Sequence, residues 1–473
     1  MVPAEPRPAP PQVTRAARRS ILSTPVARPA KVCRIPPHTG EPIRAPDLAV
    51  RDGRRPMRRV AAVLCIVVYD LLLGFGIGHA ADVPSFDLRY GVLAGLTGNA
   101  AVSGQGWNEA ARLGVEQVKA SLDRLKIPGM KAELADSQDS QGNPQAGVEA
   151  AQKLVQIDHV NVIIGDFYSS VTSAAAAAVA LPNKVLMFTG GTSPALTKLN
   201  TGSTTYLWQP VAADDMQGRV LAKVIADQLG PHARINVAAR NDAYGANLSA
   251  LFKQAWIADG GTIPEFVVYN QQQPTLDTEA QQVVQGDPQG WLFIDFCETF
   301  AKLAQPLERS GKWDPAKSFG SDTLNDCQSR GSKNYPGMHA VQANASSGSS
   351  FPAFKALFTR DGRKGVAFQS FTAEAFDSVF VAFLAAVEAR SADPTAIAAH
   401  VVNVTNDPGR PFTFEQLDDA ARALLAGEKI HFMGATGPLN FNANGRVNAL
   451  AYDIWEHKPD GTAAVVKTIT LGP

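Results

Sequence analysis

Two short stretches hold residues that could do chemistry. Residues 165–170 read GDFYSS and residues 189–194 read TGGTSP; each follows an apolar run, VNVII and KVLMF. Ser169, Ser170 and Ser193 stand where a buried strand hands over to a helix, and Pro194 suits a first helical turn. Helix N-termini present free N–H groups and the positive end of the helix dipole. Gly190 and Gly191 let a ligand reach backbone directly. Two such strand ends, side by side at the carboxyl edge of a parallel sheet, suit a small anion, most simply a carboxylate. Taken alone, each serine reads as a helix cap; the pairing carries the ligand reading. Within the second loop the expectation is that Ser193 caps a helix.

Signatures of catalysis are scarce. The histidines after residue 81 (159, 232, 339, 400, 431 and 457) show no metal-ligand spacing such as HExxH. There is no GxSxG nucleophile turn. GFGIG at 74–78 lies inside an apolar leader, and SGKW at 310–313 lacks the upstream glycine and the Ser/Thr of a phosphate loop. The expectation is a binding protein without enzymatic activity, cofactor or metal.

The charge balance narrows the partner. The 473-residue chain has 44 basic and 44 acidic residues. Thirteen of the basic and four of the acidic ones fall in residues 1–60, and one acid, Asp70, in 61–81. The remainder from Asp82 therefore holds 31 basic against 39 acidic residues, a net of −8. An acidic body argues against nucleic acid. Residues 1–56 contain twelve of the 32 prolines and almost no apolar periodicity, a composition that cannot bury enough surface to order itself. From Met57 follow a basic start, an apolar run over 60–77 and the small-residue site His79-Ala80-Ala81. This reads as a secretory signal cleaved near Ala81, with a membrane anchor as the competing reading. Residues 1–56 are then disordered or a misassigned extension. Cys297 and Cys327 remain in the mature chain, and in an exported protein two cysteines read as one disulfide or as two free buried thiols.

The elements that must position the loops alternate. LRYGVLAGL is a strand buried on both faces. A helix follows with Ala111, Val115, Val118, Leu122 and Leu125 on one side. Then come KAELAD, a helix over QAGVEAAQKLVQ, VNVIIGD, an Ala-rich helix over 171–181, KVLMFTG and TTYLWQP. A second series runs RINVAAR, EFVVYN, WLFIDF, KSFGSD and GMHAVQA. Helices are expected over 367–390, 394–404 and 414–426, and strands again at GPLNFNANGR and ALAYDIWEH. Two α/β units of similar build follow, each a parallel sheet flanked by helices.

The stretches YGVLAGLTGNAAVSGQG, DSQGNPQAGVEAAQKLV, VIIGDFYSSVTSAAAAAV and GGTSPALT, in this order, resemble the type I periplasmic solute-binding proteins, above all the branched-chain amino acid binders of ABC importers. NDAYGANLSALFKQAWIADGGTI, FCETFAKLAQPLERSG and GPLNFNANGR extend the resemblance from about residue 87 to the C-terminus. It implies two lobes joined by a three-strand hinge and closing on a ligand, 86–207 with 344–446 and 208–343 with 447–473. It implies a periplasmic monomer that hands an amino acid or related carboxylate to a permease in the inner membrane. Carried over, Ser169 and Thr192 take the ligand carboxylate, and Gly190 and Gly191 supply backbone. Tyr244 and Asp322 face them, with Asp322 pairing the ammonium. Phe296, Phe376 and Ser103 line the side-chain pocket, where a shorter acid, two Phe for Tyr and a small Ser103 imply an altered shape. The two remaining cysteines follow consecutive strands of the second lobe, where a bridge is geometrically feasible. N-terminal sequencing of the exported product should read from Asp82; a start far upstream would overturn the signal assignment.

Overall fold

The computed structural model describes residues 85–360, 365–448 and 451–471. The leader at 57–81 and residues 1–56 lie outside them. Five parallel strands form the first sheet: β1 (Phe86–Ala94), β2 (Met130–Asp139), β3 (Val162–Gly165), β4 (Leu186–Phe188) and β5 (Leu207–Trp208), in the order β2-β1-β3-β4-β5. β3 and β4 are buried at every position, as continuous apolar runs require of strands covered on both faces. α1 (Ala101–Leu125) and α2 (Pro144–Gln156) are two of the covering helices. Asn143 starts α2 by accepting from the N–H groups of Gln145 and Ala146 at 2.9 and 3.2 Å, with Pro144 in the first turn.

The second sheet repeats this order. β6 (Ile235–Arg240), β7 (Phe266–Tyr269), β8 (Gly290–Ile294), β9 (Ser318–Gly320) and β10 (His339–Ala343) run in parallel as β7-β6-β8-β9-β10. It differs from the expected all-parallel sheet. β11 (Arg410–Phe412), β12 (Ile430–Gly434) and β13 (Gly437–Pro438) make a small separate sheet, but of the last strands β14 (Ala451–His457) joins β10 antiparallel and β15 (Ala463–Thr470) pairs antiparallel with β14 at the edge. The turn at 458–462 is too short for a crossover, so the final pair can only be a hairpin. GPLNFNANGR supplies only the two residues of β13 and an isolated bridge between Arg446 and Gln209.

The late helices return to the first sheet. Thr372–Ala389 is buried along nearly its whole length because it packs against α1, the neighbouring helix Pro394–Thr405 and Leu417–Leu425. A helix apolar all round needs such a central place. It begins at Thr372, not at 367, because Phe371 before it has left-handed backbone, φ 66°. A short helix at Phe351–Thr359 and strand β15 had no expectation in the sequence.

Cys297 and Cys327 are joined in a disulfide with Cα atoms 5.3 Å apart. It lies in the aromatic core on the outer side of the second sheet, with Phe293, Phe300, Trp313 and Tyr335. Cutting a cross-link over a 30-residue separation should cost about 2–4 kcal/mol. The double replacement Cys297→Ser with Cys327→Ser is expected to lower the denaturant midpoint accordingly, and the unreduced chain from Asp82 should show no free thiol on unfolding.

Candidate ligand-binding site

In both sheets the chain order reverses beside the first strand, so a crevice opens at the carboxyl ends of β1/β3 and of β6/β8. The same dipeptide closes β3 and β8: Asp166-Phe167 and Asp295-Phe296. Both aspartates are fully buried. Asp166 accepts from Ser140 Oγ at 2.5 Å and from the Tyr168 N–H at 2.7 Å. Asp295 accepts from the Tyr269 hydroxyl and, at 2.8 Å, from the Phe296 N–H. Burial pushes each carboxyl up to about 7 against these hydrogen bonds. The aspartates thus aim the two phenylalanines, whose rings meet 5.9 Å apart between the sheets.

Gly165 permits the first turn. Its φ is 138°, and a Cβ there would lie 1.8 Å from the Leu93 carbonyl oxygen. Ser169 opens the helix Ser169–Ala175 as its first residue, so it is not the cap; Tyr168 holds that position. The hydroxyl of Ser169 accepts from the Ser193 N–H at 3.2 Å and ties the two loops together.

The second loop starts no helix, contrary to the expectation for Ser193 and Pro194. Residues 191–193 are irregular, 194–196 turn, and one 3₁₀ turn follows at Thr197–Leu199. The chain must re-enter the sheet at Leu207, and side chains hold the loop in place. Gln209 Nε2 donates to the Gly191 and Ser193 carbonyls at 2.6 and 3.3 Å, and Thr189 Oγ1 accepts from the Gly191 N–H at 2.9 Å. Gly191 packs so close that a Cβ would stand 3.0 Å from Ser169 Cα, and one on Gly190 would stand 2.7 Å from the Trp107 ring. The Gly190 carbonyl accepts no hydrogen bond from the described residues.

A cavity of about 10 Å³ lies between the sheets, lined by Phe167, Ser169, Gly190, Thr192, Tyr244, Phe296, Asp322, Thr323 and Phe371. Six of the nine residues named from sequence are therefore brought together, and Gly191 stands directly behind Ser169. Across from Ser169 and Thr192, the Tyr244 hydroxyl donates to Asp322 Oδ1 at 2.5 Å. Burial raises the Asp322 carboxyl above its ordinary range, opposed by that bond. Two residues are elsewhere. Phe376 sits more than a turn into its helix and faces the core, packed on Phe354, Phe380 and Phe414. Phe371, just before the helix, takes the aromatic place. Ser103 is buried in α1 and does not line the cavity.

The sequence reading also passed over Phe167, Thr323 and Asp214. Asp214, at the start of the helix Asp214–Leu229, is fully buried, and neither carboxylate oxygen has a hydrogen-bond partner. Burial, and next the Asp322 charge, hold its carboxyl well above the usual range. Its signal was faint, since Asp-Asp before an apolar run reads as an ordinary helix start. Four rings line the cavity, Phe167, Tyr244, Phe296 and Phe371: Phe167 lies 5.5 Å from Phe371, and Tyr168 packs 4.6 Å from Phe296. The Arg240 guanidinium lies 4.3 Å above Phe296 and pairs with Asp242 and Asp295. Among the described residues no cluster of His, Cys, Asp or Glu could hold a metal ion, and no helix is long and apolar enough to cross a membrane.

Comparison with known proteins bears on this geometry. A family model described as periplasmic binding protein matches residues 87–450. The chemotactic signal transduction system substrate-binding protein BasB of Halobacterium salinarum is 22% identical over 311 residues, 65% of this chain and 72% of its own length. A leucine binding protein, LivK of Thermotoga maritima, superposes with a TM-score of 0.65 at 19% identity, over 81% of this chain and 99% of its own. A solute binding protein of an ABC transporter from R. palustris, in complex with 4-hydroxybenzoate, superposes with a TM-score of 0.62 at 17% identity, over 82% and 98%.

The buried acids fix the sign of a pH effect. Asp166 and Asp295 are raised to about 7, Glu374 to about 8 and Asp377 to about 6, each chiefly by burial. Folded, each holds its proton to higher pH than it does unfolded, so stability is lost as pH rises through the raised values. Thermal unfolding should therefore give a lower midpoint near pH 8.5 than near pH 5.5; the opposite order would contradict this account.

Proposed function

Because this chain belongs to the periplasmic binding protein family, we propose that it captures an amino acid or a related small carboxylate between its two lobes and delivers it to an ABC permease. The lobes are 86–207 with 344–446 and 208–343 with 447–473. The single observation that carries the reading is the cavity with Ser169, Gly190 and Thr192 on one side and the Tyr244–Asp322 pair on the other. Hydroxyls and a helix start suit a carboxylate. An acid opposite them, with the free Gly190 carbonyl, suits an ammonium.

Binding and closure are then one event. A ligand that touches both sides stabilises only the arrangement in which they meet. Family members act outside the cytoplasm, in keeping with the leader expected at 57–81 and with the disulfide. No chemical step is assigned to any residue; the side chains bind and orient. The protein works as a monomer in the periplasm, and its second partner is the permease.

Two observations favour neighbouring readings. The rings of Phe167, Tyr168, Phe296 and Phe371 suit an aromatic acid without an ammonium, and a 4-hydroxybenzoate complex is known for a protein of this fold. The relative BasB serves chemotactic signalling, so delivery to a receptor is the alternative to delivery to a permease.

Titration calorimetry after a thermal-shift screen separates the ligands. Truncating one partner of a buried charge pair costs roughly 2–5 kcal/mol. Asp322→Ala should weaken amino acids by that amount and spare a simple aromatic acid, while Ser169→Ala should weaken both. Unchanged amino acid affinity in Asp322→Ala would overturn the zwitterion reading.

A further inference from the structure

The site cavity of about 10 Å³ has room for little more than one water molecule. With the two sides this close, a ligand anchored there must send its side chain into an adjoining space. Two spaces adjoin. One, of about 280 Å³, lies past Tyr168 and Phe296 and has a polar lining that includes Gln141, Gln272, Glu298 and Lys302. The other, of about 410 Å³, lies past Phe371, and Phe371 is the one residue shared by its lining and that of the site.

The two partitions are built differently. Phe296 is held from three directions, by Tyr168 at 4.6 Å, Tyr244 at 5.4 Å and the Arg240 guanidinium at 4.3 Å. Phe371 instead carries a bulky side chain on left-handed backbone, φ 66° and ψ 5°, an unfavourable conformation that persists only when the surroundings impose it. The floor beneath it is firm. Arg330 is buried and donates to the Thr323 carbonyl, Asn325 Oδ1, Gln369 Oε1 and Ser370 Oγ. It laces the two residues before Phe371 to the strand end that carries Asp322. The segment before Phe371 is thus tied down, and the Phe371 ring itself packs on a single ring among the described residues, Phe167 at 5.5 Å, where Phe296 has three.

The larger chamber is also the more apolar. Phe351, Phe368, Ala373, Trp455 and Val465 give it apolar surface, beside charged groups from Asp326, Arg330, Lys355, Glu374 and Asp453. Glu374 is 5% exposed and one of its oxygens has no hydrogen-bond partner. We infer that the ligand's side chain displaces the Phe371 ring and occupies this chamber, so that the site selects ligands with a large aromatic side chain over branched-chain ones. This rests on the anchoring of the ligand by Ser169, Thr192 and Asp322.

Calorimetry with alanine, leucine, phenylalanine and tryptophan tests it on the full exported protein. Affinity should rise along the series, by roughly tenfold or more from leucine to the aromatic pair. Ala345→Trp and Val465→Trp place bulk in the chamber from partly exposed and exposed positions. Each should lower aromatic affinity by roughly tenfold and leave the smallest binding amino acid within about threefold. Flat or falling affinity with side-chain size overturns the inference, as does aromatic binding untouched by both variants, and the anchoring reading survives either result. If no amino acid or carboxylate binds the unmodified protein, the anchoring reading falls and this inference with it.

Discussion

The structure turns on two buried aspartates that end equivalent strands. Asp166 and Asp295 each sit at a third strand position, where the sheet order reverses, and each is spent on local hydrogen bonds. Their task is to set the backbone of the next residue. That residue is a phenylalanine in both lobes, and the two rings meet between the sheets. With Tyr168 and Phe371 added, the two sides meet through aromatic rings, while Ser169, Thr192, Tyr244 and Asp322 line the small cavity beside them. Apolar contact is non-directional and tolerates opening; hydrogen bonds across the cleft demand a ligand of the right shape.

The same cleft concentrates acid. Asp166, Asp214, Asp295 and Asp322 are all buried within it or beside it, and burial raises every one of them. Arg240 offsets part of this charge by pairing with Asp242 and Asp295 while covering Phe296. Burial, and next the Asp322 charge, favour the protonated, uncharged form of Asp214. The opposite side of the cavity offers hydroxyls and backbone, and no basic side chain lines it.

Much of the fold was legible because its code is local. Continuous apolar runs reported β3 and β4 as buried strands, and the helix over QAGVEAAQKLVQ was equally plain. Errors cluster where a distant constraint prevails. The sequence SPALT looks like a helix start, yet Gln209 and the nearby return to β5 hold it as a turn. Phe376 looked like a pocket residue, yet helix phase turns it into the core and leaves the pocket to Phe371. The antiparallel end of the second sheet depended on a hairpin whose second strand, AAVVKTIT, is half exposed and carries a weak pattern.

By itself the sequence determined the strand ends, their glycines and the residue types that line the cavity, because close backbone approach and burial restrict composition position by position. Tertiary structure alone decided which aromatic lines the cavity, that Asp214 is buried with no hydrogen-bond partner for its carboxylate, and that a much larger chamber adjoins a very small cavity. Those facts depend on how one lobe is placed against the other, and residues far apart in the chain carry no local mark of that meeting.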